Sequence, residues 1–148
     1  MEAPDVRSAG WRDHAEVRDL IARYCYAIDG RDEAAFGGLW MDDASYDVGG
    51  AFGSYTGAEQ ILRGAGEIWN AFTETHHWTS NVVVSFSDSE RASSTSNVLA
   101  HLIDTRGMFV LCAADYADQF RRKNGTWFFQ ERKITIHYLR QVDAPAYG

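Results

Sequence analysis

The 148-residue chain has the length and composition of one ordinary globular domain, because 45% of its residues are hydrophobic and 24% are charged, which excludes wholesale disorder. Its formal net charge of -7 makes a nucleic acid or an anionic membrane surface an unfavourable partner. The aromatic fraction of 14% exceeds what a small core requires and is compatible with an apolar cavity for a small molecule.

The chain shows no long apolar segment that would direct it to a membrane or out of the cell. Its longest apolar run, around Met108 to Ala114, is far shorter than the ~20 residues that span a bilayer. The first residues contain no apolar core of a signal peptide, so we expect a cytoplasmic protein. Cys25 and Cys112 have neither a CxxC nor a metal-type spacing, which favours buried thiols over a disulfide.

Hydrophobic spacing in the first half of the chain predicts three helices. Asp13 begins a capping box, and apolar residues then recur at helical spacing, so the first helix is expected over about residues 13–29. Asp32 is suited to cap a second, short helix that continues to Trp40. Gly57 opens a third helix.

From Thr75 onward the hydrophobic period changes from helical to alternating. Four long β-type segments follow, separated by the short connections DSER, DTRG and KNG, which suit antiparallel neighbours. An earlier segment, ASYDVGGAFGSY, predicts a short strand and a glycine-rich hairpin. This order predicts an α+β domain with helices packed against a curved, mostly antiparallel sheet and a pocket between them. The core is expected over about residues 12–140, with loose ends at residues 1–11 and 141–148.

Five segments occur in an order and spacing typical of a known family. They are RYCYAIDGRD, LWMDDASYDV, the helix that begins at Gly57, THHWTSN and GTWFFQERKI. Together they resemble the SnoaL-like branch of the nuclear-transport-factor-two-like superfamily, whose members are cone-shaped α+β barrels. The resemblance implies one domain, a small-molecule substrate, no metal or organic cofactor, and a homo-oligomer, either a dimer or a trimer. Known members include dehydratases, dehydrochlorinases, isomerases and polyketide cyclases, and also accessory subunits.

The most specific part of this resemblance is a pair of residues. In the dehydratase and dehydrochlorinase members an Asp ends the first helix and a His begins the first long strand, and the matching positions here are Asp29 and His77. A neutral imidazole accepts a proton, and a nearby carboxylate fixes its tautomer and stabilises the imidazolium. The resemblance thus implies that His77 abstracts a proton and that Asp29 orients the imidazole of His77. The alternative is an ordinary helix-end carboxylate and an ordinary strand histidine.

His76 lies next to this predicted base. Successive strand side chains point to opposite faces, so only one of the two histidines faces the cavity. The four-residue step from His77 to Asn81 resembles the His-to-Asn spacing of the family and favours His77. The alternative assignment for His76 is a histidine on the solvent side or at an interface.

Three further residues match positions that hold substrate or leaving group in family members. Arg132 matches an arginine that binds the departing anion in dehydrochlorinases, His101 matches the second catalytic histidine of dehydratases, and Tyr116 matches a substrate-holding Asn. Polar packing in the core, or a structural salt bridge for Arg132, is the alternative for each. A buried arginine needs a partner, which is Asp29, another carboxylate or the substrate. Strand alternation groups Arg132 with Phe128, Gln130, Ile134, Ile136 and Tyr138.

Two positions depart from the family patterns. Tyr24 stands where dehydrochlorinases have a cationic or amide residue, one turn before the catalytic Asp. The tyrosine pair that polarises a ketone in dehydratases matches Ile28 and Val48 here, and Tyr46 is offset from the second position by two residues.

The favoured hypothesis is a cofactor-free lyase of the dehydratase or dehydrohalogenase type. In it, His77 removes a proton from a small apolar ring-containing molecule, and a hydroxyl or halide leaves toward His101, Tyr116 or Arg132. An isomerase or polyketide cyclase would use the same pocket. A non-catalytic small-molecule-binding protein or accessory subunit would have an open pocket in which Asp29 and His77 do not meet.

A metal enzyme is the less favoured alternative, because the histidines form no HxH or HExxH pattern. Aromatic side chains at core-like spacing are further candidates for walls around a substrate. They are Tyr24, Trp40, Tyr46, Trp69, Phe72 and Trp78.

Overall fold

A computed structural model describes residues 10–145 of the chain, and the side chains of residues 10–143. Its elements in chain order are α1 (Trp11–Asp29), α2 (Glu33–Gly37), β1 (Trp40–Asp47), β2 (Ser54–Thr56), α3 (Ala58–Ala71), β3 (Phe72–Phe86), β4 (Arg91–Asp104), β5 (Met108–Lys123) and β6 (Thr126–Pro145). The predicted α+β class is confirmed. Among these residues, no helix is long and apolar enough to cross a bilayer.

The six strands form one curved sheet in the order β2-β1-β6-β5-β4-β3. Every pairing is antiparallel except that of β1 with β6, which is parallel. The sheet is therefore mostly antiparallel, as expected. It does not close into a full barrel, because β2 and β3 remain as its two edges. Bulges in β3 and along the β5–β6 pairing bend the long strands.

Helix α1 runs along the free edge of β3 and is joined to it by side chains. Arg18 Nη1 donates a hydrogen bond to the carbonyl of Val82 at 2.9 Å. Asp29, at the other end of the helix, accepts a hydrogen bond from the backbone N–H of His77 at 2.8 Å. A strand edge otherwise exposes unpaired backbone groups. The covering of this edge by α1 therefore also brings the last residue of the helix to the predicted base.

The start of α1 differs from the predicted capping box. The helix begins at Trp11, with Gly10 at the N-cap position and no side-chain cap. The carboxylate of Asp13 instead accepts a hydrogen bond from Trp127 Nε1 at 3.0 Å. Asp13 is thus used in a tertiary contact with β6, which local sequence does not reveal.

Other boundaries are shifted by a few residues. The predicted cap of α2 is present, since Asp32 Oδ1 accepts from the N–H of Ala35 at 2.9 Å. The helix ends at Gly37, however, because Trp40 begins β1. Residues 141–145 continue β6 and are not loose, whereas residues 1–9 and 146–148 lie outside the described residues.

Candidate active site

Asp29 and His77 meet where the end of α1 faces the start of β3. His77 Nδ1 lies 2.6 Å from Asp29 Oδ1, and their side chains are 13% and 21% exposed, respectively. A carboxylate only accepts hydrogen bonds, so a neutral imidazole in this contact bears its proton on Nδ1. No hydrogen bond from the described residues engages Nε2. The predicted contact is present, and its geometry leaves a nitrogen lone pair available as a base.

Thr75 is a member of this site that sequence reasoning missed. It is 3% exposed, and its Oγ1 donates to Asp29 Oδ1 at 2.8 Å. Thr75 and His77 are two residues apart on β3, so their side chains leave the same face of the strand. Together with the backbone N–H of His77, they give the carboxylate three donors. Strand alternation places Thr75 on the same face as His77 and was the one signal in the sequence for its role. That signal is weak, because these strands contain many other hydroxyl side chains.

The contact of Thr75 with Asp29 predicts a result that needs no substrate. In Thr75→Val the shape is kept but a donor is lost, so we expect the carboxylate to rotate more freely and the His77 Nδ1 proton to exchange faster with water. Thr75→Ser restores the hydroxyl and should restore slow exchange. The measurement is the Nδ1 proton resonance of His77 by NMR. Equal exchange rates of the His77 Nδ1 proton in Thr75→Val and Thr75→Ser would show that Thr75 does not position Asp29.

The neighbours of His77 on β3 face outward, as alternation predicts. His76 is exposed and its Nε2 lies 2.7 Å from Glu74 Oε1. Trp78 is 53% exposed, so it borders the outside of the sheet and does not wall the interior. The choice of His77 over His76 therefore agrees with the geometry.

The structure does not bring His101 to this site. His101 is paired directly with His76 across β3 and β4, and directly paired residues share one face of a sheet. Its ring centroid lies 4.9 Å from that of Trp78 and 5.2 Å from that of Phe109. The expectation that a leaving group departs from this site toward His101 is wrong, because β4 presents Ala100 to the interior at that level.

Arg132 faces the interior, as expected, and its partner is Asp118. Arg132 Nε donates to Asp118 Oδ1 at 2.8 Å and Nη2 donates to Oδ2 at 2.7 Å, with both side chains fully buried. Burial by itself disfavours the charged guanidinium, but the adjacent carboxylate more than offsets this and raises the pKa of Arg132. Of the partners left open by the sequence, Asp29 is thereby excluded.

Two bulges alter the predicted face of β6. In β6, Gln130 is an extra, unpaired residue between two residues that pair with β5. His137 is a second extra residue of the same kind. Each bulge reverses the alternation that follows it. Phe128 and Tyr138 therefore face away from Arg132, whereas Ile134 and Ile136 remain on its face and line the interior.

Two cavities border His77. The inner one, of about 60 Å³, lies between the helices and the sheet and is lined mainly by apolar side chains together with the tyrosines Tyr24 and Tyr116. The outer one is a groove of about 450 Å³ between α1 and β3, lined among others by Asp29 and Trp78. His77 lines both, so its ring separates an apolar interior from an open surface.

The other aromatic residues predicted to surround a substrate are packed in the protein core. Tyr46 is fully buried behind Tyr24, with 2.6 Å between the two hydroxyl oxygens. Trp40 is buried with its ring centroid 5.1 Å from that of Tyr46. Trp69 Nε1 donates to the carbonyl of Ile28 at 2.7 Å, which anchors the last turn of α1. These three do not line the inner cavity, whereas Phe72 does.

Burial raises the pKa of Tyr24, Tyr46 and Tyr116 well above the ordinary value. Of the seven tyrosines, we therefore expect these three to stay neutral near pH 10, when exposed tyrosines ionise. In the unfolded chain they ionise at about pH 10, so the free energy of unfolding should fall as pH rises above 10. Absorbance at 295 nm against pH measures tyrosine ionisation, and circular dichroism at the same pH values measures unfolding. Ionisation of all seven tyrosines at about pH 10 in a folded protein would contradict this prediction.

Metal-ligating residues are dispersed in the described part of the chain. No group of three or more His, Cys, Asp or Glu there is arranged to hold a metal ion. Both cysteines are free and buried. A resident metal therefore has no ready-made ligand set among residues 10–143.

Comparison with known proteins relates the whole arrangement to a family. A profile of the SnoaL-like domain matches residues 11–133. The chain is 29% identical over 128 residues to gamma-hexachlorocyclohexane dehydrochlorinase of Sphingobium indicum, covering 84% of this chain and 81% of that protein. The crystal structure of a type 2 hexachlorocyclohexane dehydrochlorinase matches with a TM-score of 0.86 and 26% identity, covering 93% of this chain and 97% of the other.

A more distant structure shares the fold alone. A protein from Novosphingobium aromaticivorans, proposed to be a scytalone dehydratase, matches with a TM-score of 0.81 and 20% identity, covering 93% of this chain and 95% of the other. Dehydrochlorination is an elimination, so the relatives named for it support a lyase-type activity here. The matched segment includes Asp29, His77 and Arg132. The chain belongs to the SnoaL-like domain family.

Proposed function

We propose that this protein is a lyase in which His77 is the general base and Asp29 its positioning partner, acting on a small ring-containing molecule. The observation that supports this most strongly is the 2.6 Å contact between His77 Nδ1 and Asp29 Oδ1. It fixes the tautomer whose free nitrogen, Nε2, accepts a proton. The relatives that perform eliminations support the reaction type.

The proposed elimination transfers one proton and breaks two bonds. His77 Nε2 takes a proton from a ring carbon, and the electrons of that C–H bond form a carbon–carbon double bond. The leaving group departs from the neighbouring carbon with its bonding electrons, as halide, or as hydroxide that takes a proton from solvent and becomes water. Asp29 stabilises the imidazolium charge that develops on His77. The ring nitrogen regains its free form when the proton passes to solvent.

The two alternatives make different demands on the same site. A non-catalytic binding protein requires no contact between Asp29 and His77, so the observed pair favours an enzyme. An isomerase or polyketide cyclase would use the same base but return the proton to the product. Proton exchange with solvent and product analysis separate these reactions.

A panel assay in D₂O tests the proposal. The compounds are gamma-hexachlorocyclohexane, hydroxylated ring ketones and cyclic enones, and the readouts are halide release, new alkenes and deuterium at ring carbons. We expect an alkene product, or deuterium incorporation, with at least one class. Halide or water release with a new double bond identifies a lyase, whereas deuterated but otherwise isomeric product identifies an isomerase. Neither product nor exchange with any compound would reject His77 as a base.

We also propose that the chain self-associates through the outer face of the sheet. Apolar side chains are exposed there, including Trp78, Val83 at 62% and Leu99 at 41%. A polar row lies beside them, in which Asn81 donates to Asn97 and Asn97 donates to Asp115. Contiguous apolar surface of this kind is typical of subunit interfaces.

Light scattering measures the expected association. We expect the mass of a dimer or trimer, and a shift toward the monomer in Leu99→Lys, since a charge on this face would have to be desolvated in an interface. An exposed position on another surface, Glu59 in the first turn of α3, supplies the control Glu59→Lys. A monomer at every concentration would refute the proposal.

A further inference from the structure

Helix α1 ends in a turn that usually contains glycine at its left-handed position but here contains arginine. The backbone N–H of Asp32 donates to the carbonyl of Ala27 at 3.0 Å. The backbone N–H of Arg31 donates to the carbonyl of Ile28 at 3.4 Å. These two bonds define a Schellman motif, whose left-handed residue is ordinarily glycine. In this protein that residue is Arg31, with a φ of 54°, and it lies two positions after Asp29.

The glycine before Arg31 meets a different requirement. Gly30 has a φ of -79°, so it does not occupy the left-handed position. A Cβ atom on Gly30 would lie 2.9 Å from the backbone oxygen of Tyr26, and glycine is needed there because the backbone approaches so closely. Two consecutive glycines would satisfy the whole turn. The left-handed arginine is therefore a source of strain that the turn itself does not require, and such strain persists where other contacts hold it.

The side chain of Arg31 makes the contact that holds this conformation. Its Nη2 donates a hydrogen bond to the backbone carbonyl of Phe72, which caps the end of α3 and is the first residue of β3. The same strand carries Thr75 and His77, both of which donate to Asp29. Arg31 thus joins the turn that follows Asp29 to the strand that carries the proposed base.

A second long-range contact lies on the other side of Asp29. Trp69, in the last turn of α3, donates from Nε1 to the carbonyl of Ile28 at 2.7 Å. Trp69 and Phe72 are three residues apart, and so are the two residues near the end of α1 that they contact. Asp29 therefore lies between two hydrogen bonds that reach one junction, where α3 becomes β3. Functional side chains need to be held within about 0.5 Å of their working geometry, and two such bonds restrict this end of the helix.

The charge of Arg31 also suits this position. Asp29 is the last residue of α1, where the helix dipole is negative and favours cations. The last turn of the helix contains no basic residue, so Arg31 is the first cation after Asp29. Replacing Arg31 by any neutral residue removes this charge together with the bond to Phe72. Glycine is the one replacement that also removes the strain of the left-handed backbone.

We propose that Arg31 is a positioning residue that acts with Trp69 to hold Asp29 within hydrogen-bonding distance of His77. This proposal deepens the lyase function and rests on it only for the claim that the held pair is catalytic. A residue that served the turn alone would be improved by glycine, which adopts the left-handed region without strain. A positioning residue would not, because glycine has no side chain to reach Phe72.

Arg31→Gly and Arg31→Met separate the two roles, because both remove the guanidinium but only Met keeps the strained backbone. We expect urea denaturation to give a higher free energy of unfolding for Arg31→Gly than for Arg31→Met. The His77 Nδ1 proton, observed by NMR, should nevertheless exchange with water about two- to tenfold faster in both variants than in the unaltered protein. Stability and exchange then change independently, which a purely structural role does not allow.

The matched control is another residue with positive φ. Asn124 has a φ of 52° and is exposed in the turn between β5 and β6, at the other end of the sheet from His77. Asn124→Gly should leave exchange of the His77 Nδ1 proton unchanged. On any substrate that the protein converts, both Arg31 variants should lower kcat more than they raise KM, because Asp29 acts on the base and not on the bound ring.

The outcomes separate this inference from the proposed function. Faster exchange in both Arg31 variants, with the Asn124→Gly control unchanged, establishes the positioning role even if no compound of the panel is converted and the lyase function is rejected. Slow exchange in both variants overturns the role even if His77-dependent elimination is found. Faster exchange in only one of the two variants, or in Asn124→Gly as well, also overturns it, because the effect then does not arise from loss of the guanidinium.

Discussion

Replacing His77 by glutamine will lower kcat/KM by about 10²–10⁴-fold on any ring substrate that the protein converts, because this is the usual contribution of a positioned general base. The fold should persist, since the side chain is near the surface of the β3 edge and its backbone N–H still bonds to Asp29. Steady-state kinetics measure kcat/KM, and circular dichroism measures whether the fold persists. Asp29→Asn should have a comparable effect, because an amide no longer fixes the Nδ1 proton.

A matched control lies on the opposite face of the sheet. His137 also contacts a carboxylate, with 2.7 Å between His137 Nε2 and Asp115 Oδ2, but it is exposed. His137→Gln should leave kcat/KM within a factor of two or so, since surface substitutions away from a site have small effects. Retention of activity in His77→Gln, or its loss in His137→Gln alone, would end the assignment of His77 as the base.

Breaking the pair of Arg132 and Asp118 will have the largest effect on stability. Asp118→Asn leaves a cation buried without its counter-charge, and a broken buried pair costs about 3–5 kcal/mol of unfolding free energy. Arg132→Met leaves the carboxylate unpaired at a similar cost. Urea denaturation followed by circular dichroism measures the free energy of unfolding.

Two controls test the reason for this loss. In the double variant Arg132→Met with Asp118→Leu no charge remains buried, so much of the lost stability should return. On the surface of α1, Arg23 pairs with Asp19, and both are exposed. Arg23→Gln should change the free energy of unfolding by less than about 1 kcal/mol. If Asp118→Asn and Arg132→Met are each as stable as the unaltered protein, the buried pair of Arg132 and Asp118 is dispensable for stability.

The resemblance and strand alternation together were sufficient to predict the contact of Asp29 with His77. Strand alternation predicted that only one of His76 and His77 faces the cavity, and the family-like spacing from His77 to Asn81 indicated which one. The failure at His101 has a physical cause. Leu99 and Ile103 share the outer face with His101 and are as apolar as the inward residues of the same strand, because the outer face has its own apolar surface. Amphipathic alternation then does not show which face is inside.

The environment of Arg132 depended on features that a linear sequence does not encode. An aspartate in a strand, such as Asp118, is ordinarily solvent-exposed, and only the register between β5 and β6 places it opposite Arg132. The bulges at Gln130 and His137 change which residues face inward, and neither position has a glycine or proline to mark it. Long-range register, rather than local propensity, therefore decides what surrounds Arg132.

The position of His77 between two cavities determines the fate of the hydrogen it removes. Substrate is expected on the inner side, whereas Asp29, hydrogen-bonded to the other ring nitrogen, borders the wide outer groove. The outer groove is not the exit for that hydrogen, because loss of the Nδ1 proton through Asp29 would leave the substrate's proton on Nε2, the nitrogen that must be free for the next turnover. The proton taken from the substrate therefore leaves from Nε2, on the side where the substrate was bound. Its release to water follows departure of the product, so we expect proton release and product release to be coupled.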